Sequence, residues 1–451
     1  MKIGFKRVKD LLTGFAGLAG IGSLIELTNL KQRLSQIRLK ENPRPEILHG
    51  DVVTSYLGLL CQGKPDFEHI EAFRDDEWFL YSLGLKKVPS SPTLRQRLDQ
   101  GAQHAEWNPI IRSENVNLLR RSQTKVTAVK AEAKEYVPLD IDVSPFDNSG
   151  TKKQGISWTY KGFEGYSPIF AYLGREGYGI NVELREGKDH SQKKAVPFIA
   201  ETIRLSKKVT DRPLLLRMDS GHDSRDNLAL CIKNGVDCII KRNLRKEKAE
   251  LLLEYAKSHE VKAQSERPGK TVYRFVKPVN ITVDKKKHPI NMVYIVTERT
   301  VLASGQLLLA PEVEMISYWT TLEATPEAID QLYHDHATSE QFHSEIKTDM
   351  DLERLPSGKF ETNQLILTLG IFAYNLLRII GQHSVHHPDT PIRKKAERRR
   401  IRTVIQNLIT CAAKLIKHSR QIALGFALNN RWFAVIKNIY EHFSSLAGNP
   451  A

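Results

Sequence analysis

The order of predicted strands and helices between residues 136 and 240 is the feature that most restricts the fold of this chain. Apolar alternation predicts a strand at 136–143, and further extended segments follow within 155–174 and 178–185. Helix, strand, helix and strand then succeed one another at 192–206, 214–219, 224–234 and 236–240. The mixed order β–β–β–α–β–α before the last strand predicts an α/β fold with a mixed sheet flanked by helices.

Carboxylates occupy particular positions in two of these strands. In the first strand, apolar residues alternate with polar ones, so Asp140 and Asp142 share one face. Asp219 ends a short apolar run and precedes Ser-Gly, which interrupts the strand. A carboxylate at a strand end lies at the sheet edge where open α/β proteins bind ligands. Capping or turn formation is the commoner role of a single Asp, and we assign it to Asp223.

A second group of reactive side chains is predicted on one helix, in Y-H-D-H-A-T-S-E-Q-F-H-S-E-I-K. At about 100° per residue, Tyr333, Glu340 and Lys347 fall on one face, and His336 joins it. A phenol, an imidazole, a carboxylate and an ammonium suit a site that holds a metal ion against a phosphate. A solvated helix with incidental charges would give the same stripe, so the pattern alone does not decide between them.

Three carboxylates from two strands and one helix could hold a pair of Mg²⁺ ions. Mg²⁺ takes oxygen ligands and keeps positions open for water and phosphate. Two such ions can activate the attacking oxygen and stabilise the leaving one in a displacement at phosphorus. The four cysteines form no C-x-x-C pair, and the histidines at 383, 386 and 387 have no cysteine nearby in sequence, so we interpret them as a surface tract and not as a zinc site.

These motifs resemble those of the DDE transposases of bacterial insertion sequences, in the branch with the signature Y-x2-R-x3-E-x6-K. Four residues match its spacing, with a His in place of the family's Arg: Tyr333, His336, Glu340 and Lys347. The D-x-[ST] at 142–144 resembles the first Asp motif, and R-M-D-S-G at 217–221 resembles the second. The separations, 219 − 142 = 77 and 340 − 219 = 121 residues, leave room for the β-rich insertion that this branch carries before its Glu.

The resemblance, which covers roughly residues 130–360, implies a ribonuclease-H-like core. It implies a mixed α/β sheet flanked by helices, with a β-rich insertion and helical N- and C-terminal regions. The expected domains are a helical N-terminal DNA-binding region (1–130), the first part of the catalytic core (131–241), the β-rich insertion (242–322), the catalytic Glu helix that completes the core (323–359), and a helical, basic C-terminal region (360–451).

The resemblance also implies the catalytic and metal-binding residues, Asp142, Asp219 and Glu340. They would bind two Mg²⁺ ions, which Mn²⁺ can replace. Asp140 is a rival for the first ligand because it shares a strand face with Asp142. We prefer Asp142 because the Ser two residues later matches the family motif.

Further residues are expected to contact DNA. The resemblance implies that Lys347 and Tyr333 contact phosphate beside the scissile bond, with help from His336. Trp319 is a candidate for stacking on an unpaired base, and a core position in a strand is its alternative. In the N-terminal region, V-P-S-S-P-T-L-R-Q-R predicts a capped helix with Pro92 in its first turn, which would display Arg95 and Arg97 to DNA.

Charge and composition agree with a DNA partner. Lys plus Arg exceed Asp plus Glu by 67 − 52 = 15, and such a basic chain favours a polyanionic partner. Two runs, 241–248 and 393–402, concentrate basic residues; the second could contact DNA or a partner subunit, and either could be a solvated face. Scattered cysteines indicate a reducing compartment, and no stretch reaches the ~18 apolar residues of a membrane span. We therefore expect a cytoplasmic protein without a membrane partner.

The predicted function is that of a DNA transposase, which binds terminal inverted repeats and target DNA, cleaves strands and transfers them, acting as a homodimer. An inactive DNA-binding protein derived from such an enzyme is the alternative, and the intact carboxylates argue against it. A secreted phosphodiesterase is a third reading, because the first 25 residues superficially resemble a signal peptide.

Overall fold

The computed structural model describes residues 3–7, 9–392, 396–418 and 421–448. Its strands, in chain order, are β1 Leu11–Thr13, β2 Val129–Ala131, β3 Lys134–Val143, β4 Phe146–Asp147, β5 Ser157–Trp158, β6 Glu164–Tyr166, β7 Ile169–Leu173, β8 Tyr178–Glu183, β9 Leu214–Met218, β10 Asp237–Lys241, β11 Ala263–Arg267, β12 Lys270–Val283, β13 Lys286–Val301, β14 Leu307–Thr320, β15 Ala413–His418 and β16 Gln421–Gly425.

The helices are α1 Leu18–Glu26, α2 Leu30–Gln36, α3 His49–Leu60, α4 Glu77–Ser82, α5 Ser91–Gln103, α6 Trp107–Arg121, α7 Ala195–Val209, α8 Arg225–Lys233, α9 Ala249–Ser258, α10 Pro326–His334, α11 Thr338–Ser344, α12 Phe360–His386, α13 Ile401–Val404 and α14 Phe433–Gly448. Short 3₁₀ segments lie at Phe67–Phe73, Ser220–His222 and Asp335–Ala337. Glu345–Asp349 and Ile405–Ile409 are π-helical.

A mixed sheet organises the molecule. Its strand order is β11-β12-β13-β14-β10-β9-β3-β7-β8, and β2 pairs with β3 outside this path. β9 runs parallel to β3, and β10 runs parallel to β9. Every residue of β7 and β9 is buried, so both faces of the sheet are covered there. The elements predicted between residues 136 and 240 are present, with ends shifted by a few residues.

α12 is the central helix of the fold. It begins the C-terminal region, and it packs against β8 and against α3, α5 and α6. Its length and apolar composition would suffice to cross a membrane, but its whole apolar window is buried inside the protein. The N-terminal helices and the main sheet therefore share one hydrophobic core around α12.

The sequence predicted a helical region after α12, and that prediction is only partly correct, because the region also contains strands. β15 and β16 form a hairpin, and β1 from the N-terminal region pairs with β15 in a separate three-stranded sheet. The physical reason is the alternation in β15, where Ala413 and Leu415 are buried while Lys414 and Ile416 are exposed. That period of two belongs to a strand and not to a helix.

The segment expected to be a β-rich insertion contains α9 and the strands β11–β14. β12, β13 and β14 are long antiparallel strands, and β14 also pairs with β10. This segment therefore extends the main sheet through the pairing of β14 with β10.

A buried ion network fixes the π-helical segment that follows α11. The Glu345 carboxylate is buried and accepts hydrogen bonds from the guanidinium of Arg378, from Arg398 Nη1 at 2.8 Å, from the Tyr374 hydroxyl at 3.2 Å and from the backbone N–H of Ile401 at 3.3 Å. These partners lie on α12, on α13 and in the segment before α13, so three parts of the chain meet at one carboxylate.

The described part of the basic run at 393–402 has structural partners. Arg400 Nε donates to Asp349 Oδ2 at 2.8 Å, and Arg402 lies 3.4 Å from the same carboxylate. Arg399 is buried, with its guanidinium 4.4 Å from the centre of the Trp432 ring. Arg398 and Arg400 are thus paired with carboxylates of this chain, and a contact of the run with DNA or with a partner subunit stays a prediction. Residues 393–395 of the run lie outside the described residues.

We predict that Arg378→Ala lowers the free energy of unfolding by about 3–5 kcal/mol, because Glu345 would stay buried without its principal cation. Urea denaturation followed by circular dichroism measures the change. Lys437→Ala is the matched control: it removes an ion pair between exposed side chains, Lys437 and Glu441, and should leave the midpoint unchanged. A wild-type midpoint for Arg378→Ala would contradict the prediction.

Candidate active site

Asp142 and Asp219 lie side by side at the ends of two parallel strands. In the register of β3 and β9, Asp140 is opposite Arg217 and Ile141 is opposite Met218. Asp142 and Asp219 are the next positions on the two strands, and the backbone of Asp219 is still extended. Because neighbouring strands are about 4.8 Å apart, the two carboxylates emerge together at the carboxyl edge of the sheet.

A buried ion pair lies two positions earlier on the same ladder. Arg217 Nε donates to Asp140 Oδ1 at 2.6 Å, and Arg217 Nη2 donates to Asp140 Oδ2 at 2.7 Å. Both side chains are buried. Burial alone would raise the pKa of Asp140, but the charges of Arg217 and His336 outweigh it and lower that pKa. Asp140 is thereby occupied on both oxygens, which makes it a poorer candidate for a metal ligand than Asp142.

Asp142 is held by a histidine that lies on α11. His343 Nε2 is 3.3 Å from Asp142 Oδ2, and His343 Nδ1 is 3.1 Å from the Tyr172 hydroxyl. A carboxylate only accepts hydrogen bonds, so Nε2 must carry the proton that faces Asp142, and in a neutral ring the Tyr172 hydroxyl then donates to Nδ1. Burial alone would raise the pKa of Asp142, but His343 and the neighbouring histidines have the larger effect and lower that pKa below its usual value. The carboxylate is therefore ionised near neutral pH.

Asp219 is more open than Asp142. Its side chain is 42% exposed, compared with 21% for Asp142. The buried ring of His222 places Nδ1 at 2.7 Å from Asp219 Oδ1. Nε2 of that ring has no hydrogen-bond partner among the described residues. Because a carboxylate only accepts hydrogen bonds, the proton on Nδ1 faces Asp219.

The Glu340 region is not the single helix that the sequence analysis predicted. α10 ends at His334, a 3₁₀ turn covers Asp335–Ala337, α11 covers Thr338–Ser344, and a π-helical turn follows. Glu340 is exposed and makes no hydrogen bond or ion pair with other described residues. It lies between His336, whose Nδ1 is 3.1 Å from Asp140, and His343, which contacts Asp142. Glu340 therefore projects from a segment that is anchored on both sides to β3.

The remaining members of the predicted stripe differ in exposure. Tyr333 is half-buried against Tyr318, with ring centres 4.8 Å apart. Burial, followed by the charges of Asp219 and Asp142, raises its pKa. Lys347 donates to the carbonyl of Pro145, and its Nζ is 3.7 Å from Glu353 Oε1. Lys347 thus lies just beyond the end of β3, close to the carboxylates.

His336 is not in the position that a phosphate-binding residue needs. Its side chain is only 7% exposed and faces Asp140. Arg217 already neutralises that carboxylate, so the His336 ring completes a buried cluster. The expectation that His336 contacts DNA phosphate directly is corrected accordingly.

Other residues expected to contact DNA also occupy internal positions. Trp319 lies in β14, where Nε1 donates to Asp223 Oδ1 at 2.9 Å and the Arg242 guanidinium covers the ring at 4.9 Å. This is the alternative that the sequence analysis left open, a position within the sheet. Asp223 is therefore a side-chain partner of Trp319, whereas the cap of α8 is Ser224.

The predicted N-terminal recognition helix is present as α5, with Ser90 as its cap and Pro92 in its first turn. Arg97 is buried, however, and its Nη1 lies 2.8 Å from His49 Nδ1 and 3.2 Å from the carbonyl of Ile47. Arg97 therefore does not face DNA, because this side of α5 packs on the core. Arg95 is exposed, with Glu68 at 3.6 Å.

Three residues near the carboxylates were not predicted from the sequence to belong to the site: His222, His343 and Tyr160. His343 follows Glu340 by three positions and so shares its helix face, which was a usable signal. Tyr160 has its hydroxyl 3.3 Å from the carbonyl of Val143. Desolvation of the hydroxyl, followed by the charges of Asp142 and Asp219, raises the pKa of Tyr160 to about 12, although two thirds of the residue is exposed. No sequence pattern connects Tyr160 to the end of β3.

The donor set suits a hard divalent cation in its chemistry. Asp142, Asp219 and Glu340 all offer carboxylate oxygens, and Asp219 and Glu340 are accessible to solvent. Within the part of the chain that the structure describes, no group of three or more His, Cys, Asp or Glu side chains is close enough together to hold one metal ion. Asp142 and Asp219 fit such a site by ligand type and by position at one sheet edge, and Glu340 fits it by ligand type.

Comparisons with known proteins support the motif analysis. The sequence profile of the family described as "Transposase DDE domain group 1" matches residues 11–447. No curated protein matches the sequence. Among solved structures, a piggyBac transposase in a synaptic complex with hairpin DNA is similar, at 13% identity and a TM-score of 0.38, over 87% of this chain and 78% of that chain.

We predict that Asp140→Ala and Asp142→Ala differ sharply in stability. Asp140→Ala should cost about 3–5 kcal/mol of unfolding free energy, because Arg217 would keep a buried, uncompensated charge. Asp142→Ala should cost about 1 kcal/mol, since it removes the 3.3 Å contact with His343 and a local hydrogen bond from the backbone N–H of Val143, and the residue is partly exposed. Urea denaturation of both variants makes the comparison, and equal losses would contradict the assignment of Asp140 as a structural residue.

Proposed function

Because the chain belongs to the transposase family with a group 1 DDE domain, we propose that it is a DNA transposase that binds insertion-sequence ends and catalyses metal-dependent strand cleavage and strand transfer. The observation that carries this proposal is that Asp142 and Asp219 lie side by side at the carboxyl ends of β3 and β9. The segment that bears Glu340 is anchored to β3 through His336 and His343.

The strand order supports a ribonuclease-H-like core. β8, β7 and β3 are successive antiparallel strands, and β9 and β10 follow in parallel to β3. In chain order the five core strands are β3, β7, β8, β9 and β10. Asp142 would come from the first of them, β3, and Asp219 from the end of the fourth, β9. Glu340 would come from the helix after the insertion, as in the branch with the Y-R-E-K signature.

Asp142, Asp219 and Glu340 would hold two Mg²⁺ ions. When bound, the ions supply charge stabilisation to the attacking and leaving oxygens at phosphorus. His343 and His222 would keep the aspartates oriented, because each ring donates one hydrogen bond to a carboxylate oxygen. Water would attack the phosphate at the element's end, and the freed 3′-hydroxyl would then attack a target phosphate.

Lys347 and Tyr333 are proposed to contact the phosphate beside the scissile bond. Lys347 is partly buried at the end of β3, and burial is the main factor that lowers its pKa. A fixed ammonium next to the carboxylates would orient phosphate without competing as a ligand. The proposed partners are the terminal inverted repeats and target DNA, bound by a homodimer in the cytoplasm.

An inactive DNA-binding descendant of a transposase is the alternative function. Such a protein would have no need for accessible carboxylates at the sheet edge, whereas Asp219 and Glu340 are both accessible. A cleavage assay therefore separates the two.

We predict that Asp142→Ala, Asp219→Ala and Glu340→Ala each abolish strand cleavage and change DNA affinity little, because a lost metal ligand removes transition-state stabilisation and leaves the phosphate contacts elsewhere. The substrate is DNA from the element's own ends with Mg²⁺, and binding is measured separately in EDTA. Glu441→Ala, an exposed carboxylate on α14, is the control and should cleave normally. Near-normal cleavage by any of the three variants would remove that residue from the site.

A further inference from the structure

Two exposed aromatic side chains occur on a short turn that the proposed function does not use. We call residues 157–162, which comprise β5 and the turn that leads to β6, the aromatic turn. Trp158 is 65% exposed and Tyr160 is 67% exposed, while Thr159 between them is buried. The alternation places both rings on the outer side of the turn.

The aromatic turn lies beside the candidate active site. The Tyr160 hydroxyl donates to the carbonyl of Val143, the residue after Asp142, at 3.3 Å. Lys161 follows Tyr160 directly and is exposed. Its charge adds to burial in lowering the pKa of Lys347, which places Lys161 within electrostatic range of that residue. The turn thus joins two aromatic rings and a cation at the edge of the carboxylate cluster.

Local hydrogen bonds hold the turn in one conformation. The backbone N–H of Thr159 donates to the carbonyl of Phe163 at 2.8 Å, and the N–H of Gly162 donates to the carbonyl of Thr159 at 3.0 Å. The Ser157 hydroxyl accepts from the backbone N–H of Lys188 at 2.9 Å. Rings on a fixed turn lose little conformational freedom when they bind a ligand.

We propose that the aromatic turn stacks on unpaired nucleotides of the DNA strand whose phosphate lies at Asp142 and Asp219. The proposal rests on the proposed function and names a structural feature of its substrate. In a duplex, neighbouring bases cover each base face, so exposed rings find free faces only where bases are unpaired. Lys161 and the exposed Lys188 complement the phosphates of such a strand. A surface that binds another protein would not need to lie beside Asp142 and Asp219, as the aromatic turn does.

The test compares the wild-type protein with a Trp158→Ala/Tyr160→Ala double variant. The probes are an oligo-dT strand and a blunt duplex of equal length, both in EDTA so that cleavage does not interfere. We expect affinity for oligo-dT to fall at least about fivefold, because the loss of one stacked base costs about 1–3 kcal/mol, equivalent to about 5- to 150-fold, while affinity for the duplex changes less than about twofold.

Two controls keep the test specific. Trp158→Phe/Tyr160→Phe retains the ring faces and should bind oligo-dT within about threefold of wild type. Tyr440→Ala removes an exposed aromatic side chain from α14 and should change neither affinity. Wild-type oligo-dT binding by the double alanine variant, or an equal loss for both probes, would overturn the proposal.

The outcome is separable from that of the proposed function. If the double alanine variant loses oligo-dT affinity but the wild-type protein does not cleave element ends in Mg²⁺, only the transposase proposal fails. If the wild-type protein cleaves but the double variant binds oligo-dT normally, only the role of the aromatic turn fails.

Discussion

The buried contact between Arg217 and Asp140 is the interaction on which the candidate site depends. It joins β9 to β3 two ladder positions before Asp219 and Asp142, and Arg217 Nη1 also donates to the carbonyl of Leu332 at 2.7 Å, near the end of α10. One guanidinium therefore connects both aspartate strands with the segment that leads to Glu340. A buried charge pair stabilises a fold only when its hydrogen-bonding groups are satisfied. Here both oxygens of Asp140 accept hydrogen bonds from Arg217, so the pair fixes the position of β9 relative to β3.

A second anchor lies on the other side of Glu340. Glu345 is buried against Arg378 and Arg398, and Asp349 pairs with Arg400. The chain from 336 to 349 is thus fixed at both ends by buried acid–base contacts, while Glu340 between them stays exposed. That arrangement suits a catalytic carboxylate, which needs a fixed backbone and an accessible side chain. The π-helical turn after Ser344 carries both Glu345 and Asp349.

Sequence periodicity predicted the central strands and the strand-end positions of Asp142 and Asp219, because a period of two fixes a side chain to a face without knowledge of its neighbours. It failed where the decisive contact is distant in sequence. The cap of α5 was predicted correctly, yet Arg97 is buried, since periodicity does not tell which face of a helix another helix covers. For the same reason, the sequence did not indicate the ion pair of Arg398, because its partner Glu345 is 53 positions away.

The histidines reveal how the aspartates can remain both ionised and oriented. Asp142 has a ring nitrogen of His343 on one oxygen, and Asp219 has a ring nitrogen of His222 on one oxygen. A neutral imidazole donates a single hydrogen bond, so it restrains the carboxylate without neutralising its charge, whereas Arg217 compensates the charge of Asp140 fully. The aspartates of β3 and β9 therefore differ in role according to the side chain with which each is paired. The aspartate paired with a guanidinium stabilises the strands, and the aspartates paired with imidazoles keep negative charge available at the sheet edge for a cation.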